Sequence, residues 1–156
     1  VEHFASAFFH GWLTNLLHTM PASHTSPLVI TCCAPGELHE LAPLMLALLL
    51  RRAGLHVAHL GQNIESASLL QTVKQVSPAL ICVSATLIAY LEAVAELGQK
   101  VQDLPPPRPT LIFGGQAFEQ RLDLIARVPG VYADGDIQTI VTQLRRMVLQ
   151  QIGEKQ

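Results

Sequence analysis

Five short runs rich in β-branched and other apolar residues recur along this chain, each followed by a stretch of helical spacing. That alternation limits the fold more than any other feature. The runs are Leu28–Cys33, His56–Leu60, Ala79–Ser84, Thr110–Phe113 and Val131–Tyr132. Between and after them the spacing predicts helices over Leu38–Ala53, stopped by Gly54, and over Ser66–Val76, opening near Glu65. Further helices are predicted over Leu87–Leu104, stopped by Pro105-Pro106-Pro107, and over Ala117–Arg127 and Ile137–Gln151. Strand and helix in strict alternation predict a parallel sheet with right-handed crossovers and helices on both faces.

The third run, ALICVS, is apolar almost throughout, as a central strand covered on both faces must be. Five such strands predict an α/β fold of the flavodoxin-like, Rossmann-type kind with strand order 2-1-3-4-5. The loops after strands 1, 3 and 4 then border the crevice where the strand order reverses, which is where open α/β sheets bind ligands. Ahead of the first strand, Phe4, Phe8, Trp12, Leu16 and Leu17 recur at helical spacing. They predict a helix over residues 1–20, with Trp12 in the core, and a polar loop over Pro21–Pro27. The tail Gly153–Gln156 is expected to fray.

Composition narrows the class of function. A length of 156 residues, 49% of them apolar, suits one well-buried domain. The net charge is −2, and the densest basic features are Arg51-Arg52 and Arg145-Arg146, which argues against nucleic-acid binding by this segment. The longest apolar stretch, Leu41–Leu50, contains Pro43 and stops at two arginines, too short to span a bilayer. No stretch reads as a secretory signal. Cys32, Cys33 and Cys82 lie in predicted strands, with the adjacent pair on opposite faces, and are expected as buried reduced thiols of a cytoplasmic protein. The chain begins at Val1 and not at Met, so it is expected to be a piece of a longer protein.

Three signals fall at the predicted strand ends. Glu37-Leu38-His39-Glu40 follows strand 1, Ser84-Ala85-Thr86 ends strand 3, and Gly114-Gly115-Gln116 ends strand 4. A neutral imidazole is a good ligand for a first-row metal, and a carboxylate on its other nitrogen fixes its tautomer and orientation. His39 has Glu37 two residues away for that role, although Glu37 also suits a helix N-terminus electrostatically. Glu40 is expected to face solvent. Ser84 and Thr86 either cap the following helix or hydrogen-bond a buried heterocycle. Gly114-Gly115 makes a tight strand-to-helix turn or lets a bulky ligand approach the backbone. No Ser-His-Asp or Cys-His catalytic set is evident.

The order Glu37-x-His39-x-x-Ala42, then Ser84-x-Thr86, then Gly114-Gly115 resembles the cobalamin (vitamin B12)-binding module over roughly residues 26–150. That family includes methionine synthase, mutases, corrinoid methyl carriers and a group of transcription regulators. The resemblance implies cobalamin bound with His39 as the lower cobalt ligand. Leu38, Gln116 and Thr86 would lie beside the cofactor. Its displaced nucleotide tail would pass Ser84, Gly114 and Gly115. The sequence departs from the usual pattern in having Glu37 in place of Asp and Ala42 in place of Gly. The Glu variant, preceded by Pro35-Gly36, is similar to the regulator branch.

The opening Val1-Glu2-His3-Phe4 adds to this. In light-responsive MerR-type regulators (the CarH and LitR kind) a helical cap ends in a Glu-His pair over the cofactor's upper face. Glu2 and His3 resemble that pair. By resemblance, residues 1–24 are the end of a helical cap and residues 25–156 are the cobalamin-binding domain. The cofactor would be adenosylcobalamin, and light would cleave its cobalt–carbon bond. A homo-oligomer would change with ligand and light, and DNA would be contacted through a domain outside this chain. On this reading the chain is not an enzyme. The runner-up is a carrier domain of a corrinoid methyltransferase or mutase, and a third reading is a haem-binding relative or a regulator without cofactor. A phosphoacceptor receiver of the same fold needs acids at the end of strand 1, where this chain has Thr31-Cys32-Cys33-Ala34.

Overall fold

The computed structural model describes residues 2–153, with side chains from residue 5 onward. Strands β1 (Leu28–Cys33), β2 (His56–Gly61), β3 (Leu80–Ser84), β4 (Thr110–Gly114) and β5 (Val131–Tyr132) form one sheet in the order β2-β1-β3-β4-β5. All four pairings are parallel. The order and the α/β class are those expected from the alternation. In register, Cys33 lies beside Ser84, and Ser84 beside Gly114, so three strand ends share one edge.

The helices are α1 (Glu2–Thr19), α2 (Leu41–Arg52), α3 (Ser66–Val76), α4 (Leu91–Gln102), α5 (Gln116–Gln120) and α6 (Ile137–Gly153). Alternation along the strands sorts the core into two layers. Ile30, Ile81, Val83, Leu111 and Phe113 pack on Leu69 and Val73 of α3 and Leu91, Val94 and Leu97 of α4. Val29, Leu80, Cys82 and Ile112 pack on Leu44, Ala47 and Leu48 of α2, Leu144 and Val148 of α6, and Leu17 of α1. No helix among the described residues is long and apolar enough to cross a membrane.

Four expectations about the elements need correction. The helix after β1 starts at Leu41, not Leu38. Pro43 explains this: it now falls in the first turn, where a missing N–H breaks no helical bond, whereas a start at Leu38 would bury it in the helix interior. The stretch expected as one helix over 117–127 is α5 followed by a 3-10 turn at Leu122–Arg127. The break is at Arg121, which turns (φ −136°, ψ 62°) and forks onto Asp123 at 2.8 and 2.9 Å. Residues two apart do not face each other on an α-helix, so this pair requires the turn. A 3-10 turn at Ile88–Tyr90 likewise precedes α4. Finally, Trp12 is 56% exposed, not core, because α1 turns Leu17 and Leu13 into the core layer that contains α2 and leaves Phe8, Phe9 and Trp12 outward.

Candidate functional site

The segment between β1 and α2 is non-helical and tightly anchored. Gly36 turns the chain at φ +81°, bringing the Glu37 N–H to the Ala34 carbonyl at 2.9 Å. The Asn63 N–H donates to the Glu37 carbonyl at 2.8 Å, and the Cys33 thiol to the His39 carbonyl at 3.4 Å.

Glu37 is wholly buried. A buried carboxylate is stable only when its oxygens are satisfied. Here the Thr86 N–H donates to both oxygens, at 3.1 and 3.0 Å, and the Leu87 N–H to Oε1 at 3.3 Å. The remaining partner is His39 Nδ1, 3.1 Å from Oε1. An ionised carboxylate only accepts, so this bonding assigns the imidazole proton to Nδ1 and leaves Nε2 with its lone pair. The ring itself is about half exposed, at 54%. Glu37 thus joins the end of β1 to the end of β3 while fixing His39.

Beside this arrangement a cavity of about 790 Å³ opens at the ends of β3, β4 and β5, between α2 and α6. Ser84, Gly114 and Gly115 line it, three of the residues expected there. Ser84 makes no helix cap. Gly115 stands at φ +110° against the Ala85 backbone, so the Gly pair is also a tight turn. Thr86 contributes its backbone N–H. Leu38 is exposed on the loop, and Gln116 opens α5 on the surface without lining the cavity. The side chains of Glu2 and His3 lie outside the described residues.

Sequence reasoning missed one wall of the site and one side-chain cluster outside the cavity. Ala133, Asp134 and Gly135, after β5, complete one wall, with Ala42 and Pro43 of α2 opposite. The strand-end logic applied to loops 1, 3 and 4 would have included this loop as well. Glu40, expected in solvent, is turned inward and only 13% exposed, with His10 Nε2 at 2.8 Å and His59 Nε2 at 2.9 Å on its two oxygens. Gly61 makes the room, since a Cβ there would lie 2.9 Å from Glu40 Oε1. Burial pushes the His59 imidazole below its ordinary pKa against the opposing pull of Glu40. Among the described residues no group of three or more His, Cys, Asp or Glu is arranged to hold a metal ion.

Comparison with known proteins points the same way. The chain is 26% identical over 133 residues to the HTH-type transcriptional repressor CarA of Myxococcus xanthus, covering 85% of this chain and 46% of that protein. It is 31% identical over 117 residues to the HTH-type transcriptional repressor CarH of the same organism, covering 74% of this chain and 39% of that one. The chain therefore spans less than half the length of either repressor. Its fold is shared with a cobalamin-binding protein of Desulfitobacterium hafniense, with TM-score 0.71 and 18% identity over 80% of this chain and 60% of that one. It is also shared with the methanol:cobalamin methyltransferase complex of Methanosarcina barkeri, with TM-score 0.68 and 20% identity over 83% of this chain and 50% of that one. The model of the B12-binding domain matches residues 27–138, and with a parallel sheet whose Ser84, Gly114 and Gly115 line one cavity, the chain belongs to the B12-binding domain family.

Proposed function

We propose that the chain is the cobalamin-binding sensory domain of a transcription regulator, with His39 as the lower axial ligand of cobalt. The observation that carries this is the His39–Glu37 pair: Nδ1 is tied to a buried carboxylate at 3.1 Å, and Nε2 makes no hydrogen bond to a described residue. A single free imidazole suits a metal whose equatorial positions are filled by its own macrocycle. The adjoining cavity of about 790 Å³ has the size to take a nucleotide tail, with Ser84 as the hydroxyl beside it and Gly114 and Gly115 offering bare backbone.

In this role Glu37 holds the imidazole in one tautomer, and the Thr86 and Leu87 N–H groups hold Glu37. Leu38 on the loop and Gln116 at the start of α5 would flank the corrin ring. Glu2 and His3 act on the upper face as the end of a cap spanning residues 1–24, ahead of the binding domain at 25–156. When bound, adenosylcobalamin supplies a cobalt–carbon bond that light breaks. The protein's part is to register that change as a shift in cap packing and oligomeric state, with DNA contacted through another domain in a cytoplasmic regulator. Support for a regulator comes from the two repressors among the relatives and from Glu37 at the acid position. The likeness of fold to a methyltransferase complex keeps a carrier role as the competing reading.

The test is an absorption spectrum of the purified chain with adenosylcobalamin, in the dark and after illumination, beside His39→Ala. Retained corrinoid with a His-ligated spectrum that is lost in the variant supports the binding role. A light-driven change in spectrum and in molecular size supports the sensor. Binding with no light-linked size change points to the carrier, and no retention overturns the proposal.

A further inference from the structure

Glu40 is the residue next to His39, yet its side chain belongs to a different set of contacts. Its Oε2 accepts from His10 on α1 at 2.8 Å, and its Oε1 from His59 on β2 at 2.9 Å. Because the carboxylate only accepts, both imidazoles present Nε2–H to it. His59 Nδ1 is then an acceptor, and the Thr31 hydroxyl of β1 donates to it at 2.9 Å. One chain of hydrogen bonds therefore runs from α1, through the loop carrying His39, to two strands of the sheet. Bonds to a charged carboxylate are shorter and stronger than neutral ones, and the one to His59 is largely buried while the one to His10 is open on the His10 side.

Its place on α1 gives this chain of contacts its meaning. Among the described residues only two hydrogen bonds tie the α1 helix to the rest of the domain by side chains. Arg51 donates to the Leu17 carbonyl at the helix's C-terminal end, and His10 binds Glu40 in its middle. The apolar anchors Leu13 and Leu17 are also in the C-terminal half, whereas Phe8, Phe9 and Trp12 face outward. The middle of α1 is thus fastened to the His39 loop through a single carboxylate.

We infer that Glu40 is a positioning residue that couples α1 to the His39 loop through its paired hydrogen bonds to His10 and His59. A displacement of the His39 backbone carries Glu40 with it, and both imidazoles must follow or let go. The functional meaning of this coupling rests on the cobalamin reading, but the coupling itself does not.

The experiment is hydrogen–deuterium exchange of the α1 amides in the 156-residue chain, for wild type, Glu40→Ala, His10→Ala and the double variant. His10 is partly exposed, so His10→Ala leaves the core untouched. Each single substitution is expected to raise exchange in the middle of α1 by about tenfold, the scale of one charge-assisted hydrogen bond, while the sheet amides stay protected. The double variant is expected to equal the singles, since both remove the same link. Additive effects, or none in α1, overturn the inference. A second arm adds cobalamin. Wild type is expected to change α1 exchange on binding, and Glu40→Ala to keep the corrinoid spectrum while losing that change. An α1 response equal to wild type in Glu40→Ala also overturns it. If wild type retains no corrinoid, the cobalamin proposal fails by itself, and the variants in the corrinoid-free chain still decide the coupling.

Discussion

Gly115→Ala is the sharpest probe of how the site is built. Gly115 has φ +110° and ψ 167°, a conformation essentially reserved for glycine. A Cβ there would collide with the Ala85 carbonyl oxygen and lie 2.9 Å from the Ala85 carbonyl carbon and nitrogen. Ala85 has no freedom to yield. Its N–H donates to the Gly114 carbonyl at 2.9 Å, and its own carbonyl accepts from the Ala117 N–H at 3.1 Å. The substitution therefore carries both a backbone penalty and an overpacking penalty, together about 3–5 kcal/mol. Gly54 supplies the control: it has φ +88°, but a Cβ would meet nothing within 4 Å. Gly54→Ala should cost only the backbone part, about 1–2 kcal/mol. The assay is urea unfolding followed by far-UV circular dichroism. With a slope of about 2 kcal/mol/M, the midpoint should fall by about 2 M for Gly115→Ala and by about 0.5–1 M for Gly54→Ala. Equal midpoint losses for the two variants would refute the packing argument.

Glu37→Ala is expected to destabilise the chain by about 2–4 kcal/mol, because it removes the acceptor of the Thr86 and Leu87 N–H groups and empties a wholly buried position, and thermal unfolding measures this. His59 sets a pH dependence. Its folded pKa lies below the ordinary 6.5, so below that pH the unfolded chain takes up the proton first. Its stabilising contribution is then complete above about pH 6.5 and is lost as pH falls through the lower folded value. Urea midpoints measured downward from pH 7 should show a decline that is shallower in His59→Gln, and identical slopes would refute it. Burial pushes the Cys32 and Cys33 thiols up to about 12, with Glu40 and Glu37 adding to the rise at Cys33, and Cys82 rises by burial as well. Iodoacetamide at pH 8 should therefore leave these cysteines intact in the folded chain and modify them in urea, as read by intact mass.

The strands were legible because each is a short apolar run bounded by turn residues, and the strand order followed from their strict alternation with helices. Helix starts were less legible. Pro43 inside a leucine-rich run gave the signal for a later start, but only when weighed against the position it would otherwise occupy. The break at Arg121 coincides with a local, exposed ion pair to Asp123 that periodicity does not register. In the site, Glu37 and His39 could be paired because they are neighbours in sequence. Glu40 could not be placed, since His10 and His59 are 30 and 19 residues away and come together only when α1 packs beside the sheet edge that carries β2. The wall after β5 was missed although Val131–Tyr132 was placed where it is found, because Ala133, Asp134 and Gly135 carry no residue type that by itself signals a ligand.

The cavity has a thermodynamic consequence. It is bordered by α2 and α6, whose inner faces build one of the two cores, so the layer that holds these helices is continued by whatever lies between them. A ligand that fills this space binds the folded chain and not the unfolded one. At a free concentration one hundred times its dissociation constant it adds about 2.7 kcal/mol to stability. That is a large share of the margin on which domains of this size survive. Cofactor supply and persistence of the fold then become one quantity, and the abundance of the folded chain itself would follow the availability of its ligand.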